Sequence, residues 1–592
     1  MRRAVHWAVL AVLLIVTVAG CTGIPTSSAP AVVRTVGLGE SAPPSAPAPP
    51  AGAGQRAIVQ GFIDAMRSSP DRLDAAKAFL DTEAVQSWNP STVTVVSNQY
   101  QVGSEQANNT VKVSFQSVGT IAANGVYTPA TFAGNGTAAK QPVTYTLAKN
   151  PSGQWRIHPS VPLGLYVTET DFRSLFTPKA LYYFDNSGTR LVPDLRYSPL
   201  GEPTVESFLL TQLSTGPRSN LDRAVTSFMP AAAGNQRLSV TQGNPTIVQI
   251  PGAAALDGDA LTRLAAQVAF TLKPTSFQTE LQIQDGTRVV EIPNVGTEFD
   301  FSEFAQFAPV DEDTPTVTYV RGGAVVGADG KPVLGKVGTD AFDLDSAVFD
   351  SDGGRTLVAG TTGPDDGARQ LLVGDTTELK DVGVPAGPLT APVWAPVGSG
   401  ADVDEVWVAS GSRIYRFVPG VVGARPTRVD FAGPSTIAGT VTALAFSPEG
   451  TRLALVVRLP GGASQLQVAT VARNGPDVNI TALTPVTPEA YQLSGVGWRS
   501  ETTLAAVGVS AGFAAGVYLE VGVDGSLLDP ESPDGLPGQP RSIATSPRAT
   551  TQWVTVGTGS DAEVWTKSTS VRSWAAPADG STQAGSAPSF SS

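Results

Sequence analysis

Two small α+β domains followed by an all-β propeller of about five or six degenerate blades is the architecture this sequence predicts, and three observations carry it. Apolar residues recur at helical spacing from Gln55 and then give way to alternating strands. A second set of helices and short strands follows from about Thr204. Beyond Thr316, strands ending in an aromatic residue recur, with 45, 52 and 52 residues separating Phe349, Trp394, Phe446 and Trp498. That period suits propeller blades built of several short strands.

Ahead of these elements stands MRRAVHWAVLAVLLIVTVAGC, a short positive start at Arg2 and Arg3 followed by an apolar run from Ala8 to Ala19. The run is shorter than the ~20 residues of a spanning helix and has the layout of a signal peptide over residues 1–20. It ends on Val18, Ala19, Gly20 and Cys21, which resembles a bacterial lipobox. In such a motif the cysteine takes a diacylglycerol and, after cleavage, a fatty acyl chain. Cys21 is the sole cysteine of 592 residues, so neither a disulfide nor a cysteine-rich metal site explains it. The expectation is a protein on the extracytoplasmic face of the cell membrane, held by lipid on Cys21.

Residues 21–54 are rich in Pro, Ala, Ser and Gly and nearly uncharged, which predicts an unfolded tether. The whole chain carries 39 basic and 52 acidic residues, a net charge of −13. Loss of Arg2 and Arg3 with a cleaved leader makes it two units more negative. Nucleic acid is therefore excluded as a partner.

The first folded domain is expected over residues 55–198. Ile58, Val59, Phe62, Ile63 and Met66 share one helical face, a second short helix runs from Leu73 to Leu80, and strands follow at Thr92–Val96, Thr110–Gln116, Val143–Leu147 and Gln154–Ile157. The pattern is similar to the cone of nuclear-transport-factor-2-like folds. Residues 199–300 form the second domain. Helices at Thr204–Leu213 and Ala260–Phe270 alternate with strands at Arg237–Val240, Thr246–Gln249 and Thr279–Ile283, and Asp285-Gly286 makes a hairpin turn. With Thr211 to Pro217 and Met229-Pro230, this unit resembles the GerMN domain. The propeller is placed at 316–575, with a fifth, worn copy of the repeat at Ser542–Gly557, and residues 576–592 read as a disordered tail.

Catalysis finds little support. Of two histidines, His6 belongs to the leader, leaving His158. Gly508-Val509-Ser510-Ala511-Gly512 has the spacing of a nucleophile elbow but lies in a blade and precedes no histidine. Gly330 to Lys336 begins like a phosphate loop, yet Val337 stands where Ser or Thr would hold magnesium. Asp350-Ser351-Asp352-Gly353 lacks the full calcium-loop spacing and suits a hairpin. Trp155, Trp394 and Trp498 fit core packing better than sugar stacking. Asp171 and Glu169 are the carboxylates a wall-remodelling enzyme could use. The expectation is a non-enzyme with no catalytic residues, metal or cofactor.

The lipobox, the tether, Trp88, Trp155-Arg156-Ile157, the stretch from Leu163-Gly164-Leu165 through Asp171-Phe172 to Ala180–Asp185 and Leu191-Val192-Pro193-Asp194, and the degenerate propeller together resemble the actinobacterial LpqB lipoprotein family. The resemblance implies an accessory protein that binds the external domain of the sensor kinase of the Mtr two-component system and modulates envelope homeostasis and division. The alternative function is binding of cell-wall glycans or wall remodelling.

Overall fold

The computed structural model describes residues 48–591 apart from 69–72, 131–139, 160–163, 200–203, 235, 274–279, 311–313, 353–354, 364–367, 386, 398–403, 433–435, 572 and 578–583. The signal peptide, Val18, Ala19, Gly20, Cys21 and the tether as far as residue 47 lie outside the described residues, as do Thr279 and Gly353. Among the described residues no helix is long and apolar enough to cross a membrane.

The first α+β unit is built on helix Gln55–Ser68, whose apolar stripe of Ile58, Val59, Phe62 and Met66 is almost wholly buried. The stripe packs into a curved sheet in the order Trp155–Ile157, Lys140–Lys149, Thr110–Ile121, Val93–Val96 and Leu165–Thr168. The last two strands run parallel, with Val93 opposite Leu165. Strands Gln101–Glu105 and Tyr127–Pro129 also pair with Thr110–Ile121. Phe62 meets Trp88 edge-on at 5.5 Å and Tyr145 at 6.1 Å. A Cβ at Gly61 would fall 2.4 Å from the Phe79 ring, so glycine sets how closely the helix approaches its neighbour. The aromatic side chains fill the cone, and the cavity beside Tyr100, Phe115, Tyr145 and Tyr166 is only about 10 Å³. That is no larger than a single water's space.

The second unit differs from expectation at its start. The hairpin Thr177–Asp185 with Leu191–Ser198, placed by sequence in the first domain, contributes Leu181, Tyr183, Phe184, Leu191 and Val192 to one core with helices Thr204–Thr215 and Gly258–Leu272. The same core extends past residue 300 to Phe304. The domain boundary at 198/199 is therefore corrected to the chain just before Thr177. The physical reason is two-sided burial. All eight residues of Leu191–Ser198 are buried, because one face packs on the helices and the other meets the propeller. Gln267 fixes the hairpin on its helix by donating to the Tyr182 carbonyl at 2.9 Å and accepting from the Phe228 amide at 2.6 Å. Strands Thr246–Gln249 and Leu281–Asp285 lie parallel, and Asp285-Gly286 turns the chain back through Arg288, with Gly286 at φ 63°.

The described residues of the propeller form six blades. The innermost strands, which number the blades one to six, are Ser586–Phe590, Leu344–Asp352, Val393–Ala395, Thr440–Phe446, Tyr491–Trp498 and Pro540–Ala544, and each neighbours the next in a closed ring. Blades two to six each open with this strand, and their remaining strands follow in sequence. Blade one closes the ring. Ser586–Phe590 pairs antiparallel with Val317–Arg321, joining strands whose paired ends, Val317 and Phe590, lie 273 residues apart. This corrects the disordered tail expected at 576–592. Its small residues and Pro588 carry little strand propensity alone, and the order comes from neighbours on both flanks.

Aromatic recurrence has a geometric cause. Trp394 Nε1 donates to the Val348 carbonyl of the preceding blade, and Trp498 Nε1 donates to the Ala445 carbonyl at 3.0 Å. Thr545 Oγ1 donates to the Trp498 carbonyl, and Ser589 Oγ to the Ala347 carbonyl at 2.7 Å. Phe446 occupies the matching place as a wedge, its ring 5.0 Å from Trp407. Trp394 and Trp498 thus fasten their blades to the preceding ones, and hydroxyl groups make the corresponding bonds at Thr545 and Ser589.

Candidate functional site

The ring of innermost strands leaves a central channel of about 1380 Å³. Small and hydroxyl-bearing residues line it, among them Thr318, Ser346, Thr442, Ser494, Ser542 and Ser589. Six strands converge on one axis, so bulky inward side chains would overfill it. No residue before Val310 lines the channel among those described. Near the starts of the innermost strands Asp345 pairs with Arg369 at 2.9 Å, and Arg541 lies on the same wall. Val320, Val348, Trp394, Phe446 and Trp498 stand beside these hydroxyls and charges, so the lining is more apolar than polar.

The α+β half leans on blades four and five through buried polar contacts. Arg452 joins Glu449 at 2.9 Å and donates to the Pro193 carbonyl. Tyr182 donates to Glu501 at 2.5 Å. Asp194, fully buried, holds Arg196 at 2.7 Å and Arg218 at 2.6 Å, and Arg218 lies 3.7 Å from Asp524 of blade five. Burial alone would raise the Asp194 carboxyl, but Arg218 and Arg196 outweigh it and hold it at about 2. Tyr197 hydrogen-bonds Ser526, and Arg173 reaches the Leu528 carbonyl at 2.5 Å.

A carboxyl pair lies where blade three meets blade two. Desolvation, with the neighbouring Asp350 adding to it, pushes Asp404 up to about 7, although the Val397 amide donates to it at 2.9 Å and Arg190 opposes the shift. A folded-state value above the ordinary one means that the folded protein holds a proton the unfolded chain would release. Stability from this group is complete below the ordinary carboxyl range and is lost as pH rises towards 7. Asp404→Asn, which can still accept from Val397, is expected to melt like the parent at pH 4 and to be more stable by about 1–3 kcal/mol at pH 8. Calorimetric scans at the two pH values check it, and an equal shift at both would refute the assignment.

The residues singled out by sequence fall apart in space. His158 sits in the first unit, with Nδ1 2.6 Å from Asp81, which also caps the helix Thr82–Ser87. Ser510 ends a strand paired with Phe513 in a hairpin, not a strand-to-helix turn. Lys331 pairs with Asp329 at 2.9 Å in the turn after Ala324–Gly327, and Val337 is buried. Asp350 and Ser351 belong to the strand Leu344–Asp352 that turns into Arg355–Thr362. Asp171 is engaged by Arg67 at 2.5 Å and closes a capping box with Thr168, while Glu169 stands in the first turn of the same helix. Trp155 lies under the Lys149 ammonium at 5.1 Å. No cluster of three metal-ligating side chains occurs among the described residues. Sequence reasoning passed over Asp194 and Asp404. For Asp194 a signal existed, since an aspartate and an arginine two apart in the otherwise apolar Leu191–Tyr197 must share one buried face.

Residues 48–173 match the family described as the lipoprotein LpqB N-terminal domain, and residues 320–591 match the lipoprotein LpqB beta-propeller domain. The chain belongs to the LpqB lipoprotein family. LpqB relatives align along most of its length. Lipoprotein LpqB of Corynebacterium jeikeium is 27% identical over 74% of each chain, and that of Streptomyces coelicolor 25% identical over 92% of each. Among solved structures, TolB from Acinetobacter baumannii covers 49% of this chain and 70% of its own at 12% identity and a TM-score of 0.34, a likeness too slight to carry argument. The LpqB propeller match ends at residue 591, so it includes the closing strand. The LpqB family is named for a lipoprotein, not for a catalytic activity.

Proposed function

We propose that this chain is a lipid-anchored, extracytoplasmic accessory protein whose propeller binds the external domain of a sensor kinase in the same membrane, and that by analogy with its family resemblance the kinase is that of the Mtr system. The observation that carries the reading is the channel of about 1380 Å³ whose lining includes nothing from the α+β half. The platform stays available while its other contacts are used within the chain. Family membership and the Val18-Ala19-Gly20-Cys21 sequence support the anchor. Two partners confined to one membrane meet at high effective concentration, so an affinity near micromolar is enough. The acidic balance of the chain favours a basic partner face, with rim charges governing association rate.

Crosslinking in cells with the full-length chain, followed by mass spectrometry, is expected to capture peptides of the kinase external domain. Substitutions at Arg369 and Arg541 on the channel wall should reduce the yield. Capture of wall polymers with no kinase peptides would move the wall-binding reading ahead. Cys21→Ser is expected to abolish incorporation of labelled fatty acid and to shift the protein from the membrane to the soluble fraction or to an uncleaved precursor. Undiminished label in the variant would refute the anchor.

A further inference from the structure

We propose that a cleft between blades five and six binds a free amino acid by its charged ends. The cleft encloses about 240 Å³ and is lined by Arg499, Glu520, Asp529, Glu531, Gln552 and Lys567, with Thr569, Ser570 and Val571 at its edge. It is separate from the channel and from the contacts with the α+β half, save that Asp529 lies 3.8 Å from Arg173.

Its floor is built rather than incidental. The Lys567 ammonium stands 4.2 Å above the Tyr518 ring and 5.7 Å from that of Trp574, with only 8% of the residue exposed. Cation–π attraction holds the charge where water is scarce. Tyr518 donates to Glu520 at 2.5 Å, which fixes that carboxylate as a wall. Gln552 is 2% exposed; its amide reaches the Tyr518 phenol, and its Oε1 is buried without a hydrogen-bond partner. Arg499 Nε is likewise buried and makes no hydrogen bond, lying 3.8 Å from Glu520 as a loose ion pair. One donor of blade five and one acceptor of blade six thus stand unused among the residues that line the cleft. Each such group costs free energy if left unmet.

The chemistry selects a small zwitterion. Arg499, with Lys567 behind it, receives a carboxylate. Glu531, Asp529 and the Gln552 oxygen receive an ammonium. A neutral sugar would leave both charge sets unanswered, and the aromatic rings are covered by Lys567 rather than open for stacking. The volume lies below the ~300 Å³ at which pockets for drug-sized ligands begin, which limits the ligand to a single residue with a short side chain.

The test uses the full-length chain in detergent. Ligand-observed NMR with the twenty L-amino acids, D-alanine and meso-diaminopimelate, followed by calorimetric titration, is expected to find at least one with a dissociation constant near or below ~1 mM. Its N-acetylated and C-amidated forms should bind at least tenfold more weakly. Arg499→Gln and Glu531→Gln should each cost tenfold, and the second variant, at a partly exposed carboxylate, guards against a loss that merely reports misfolding. Three outcomes overturn the proposal: no binding up to ~10 mM, equal binding of the blocked forms, or unchanged affinity in both variants with their melting preserved.

Discussion

Removal of residues 584–592 is expected to open the propeller and lower its melting temperature by roughly 10 °C or more, the shift that a loss of several kcal/mol produces in a domain of this size. The deletion takes away the innermost strand of a blade. It strips Val317–Arg321 of its partner, and with it the bonds from Ser589 to the Ala347 carbonyl and from Ala587 to Thr555 Oγ1. Two strand edges then face solvent, which invites association between chains. Differential scanning calorimetry with limited proteolysis reads the effect, and a synthetic peptide of residues 584–592 added in trans should restore part of the transition. A truncated chain that melts within ~2 °C of the parent would show that closure lies elsewhere.

Asp194→Ala is expected to cost about 3–5 kcal/mol, the range found when one member of a buried ion pair is removed. Its carboxylate is fully buried between Arg196 and Arg218, so truncation strands two guanidinium groups that the α+β half and blade five cannot hydrate. The pH dependence has the opposite sign to that of Asp404. A carboxyl held down at about 2 lends stability that is present above the ordinary carboxyl range and disappears as pH falls towards 2. Guanidinium unfolding at pH 7, compared between the parent and Asp194→Ala, measures the loss. Replacing Asp194, Arg196 and Arg218 together by apolar residues should recover much of it, because the desolvation cost leaves with the charges. If the single variant cost under ~1 kcal/mol, the network would be no stronger than a surface pair.

Local pattern was legible wherever one force dominated. The strand Thr246–Gln249 has the residues alternation assigned it, and helix Gly258–Leu272 overruns its expected limits by two residues at each end. Phe349, Trp394, Phe446 and Trp498 announced the blades because each wedge needs a bulky residue at one place in the repeat. What escaped was decided by partners distant in sequence. Ser586–Phe590 has no strand-like composition and is ordered by its neighbours. The hairpin from Thr177 reads as a continuation of the first unit until its second face is seen against blades four and five. The cleft at Lys567 was invisible for the same reason, since its five lining charges and one amide come from five separate strands and turns.

Closure by Ser586–Phe590 also sets an order of events in time. Sheets two to six are made of strands contiguous in sequence and can assemble as the chain emerges, but the ring stays an open arc until that segment exists. The joining contact spans 273 residues, so it carries the loop-closure cost that makes non-local pairing slow. The chain thus spends its synthesis without a finished propeller. The channel itself comes into being only when the last segment of the ring has joined the first.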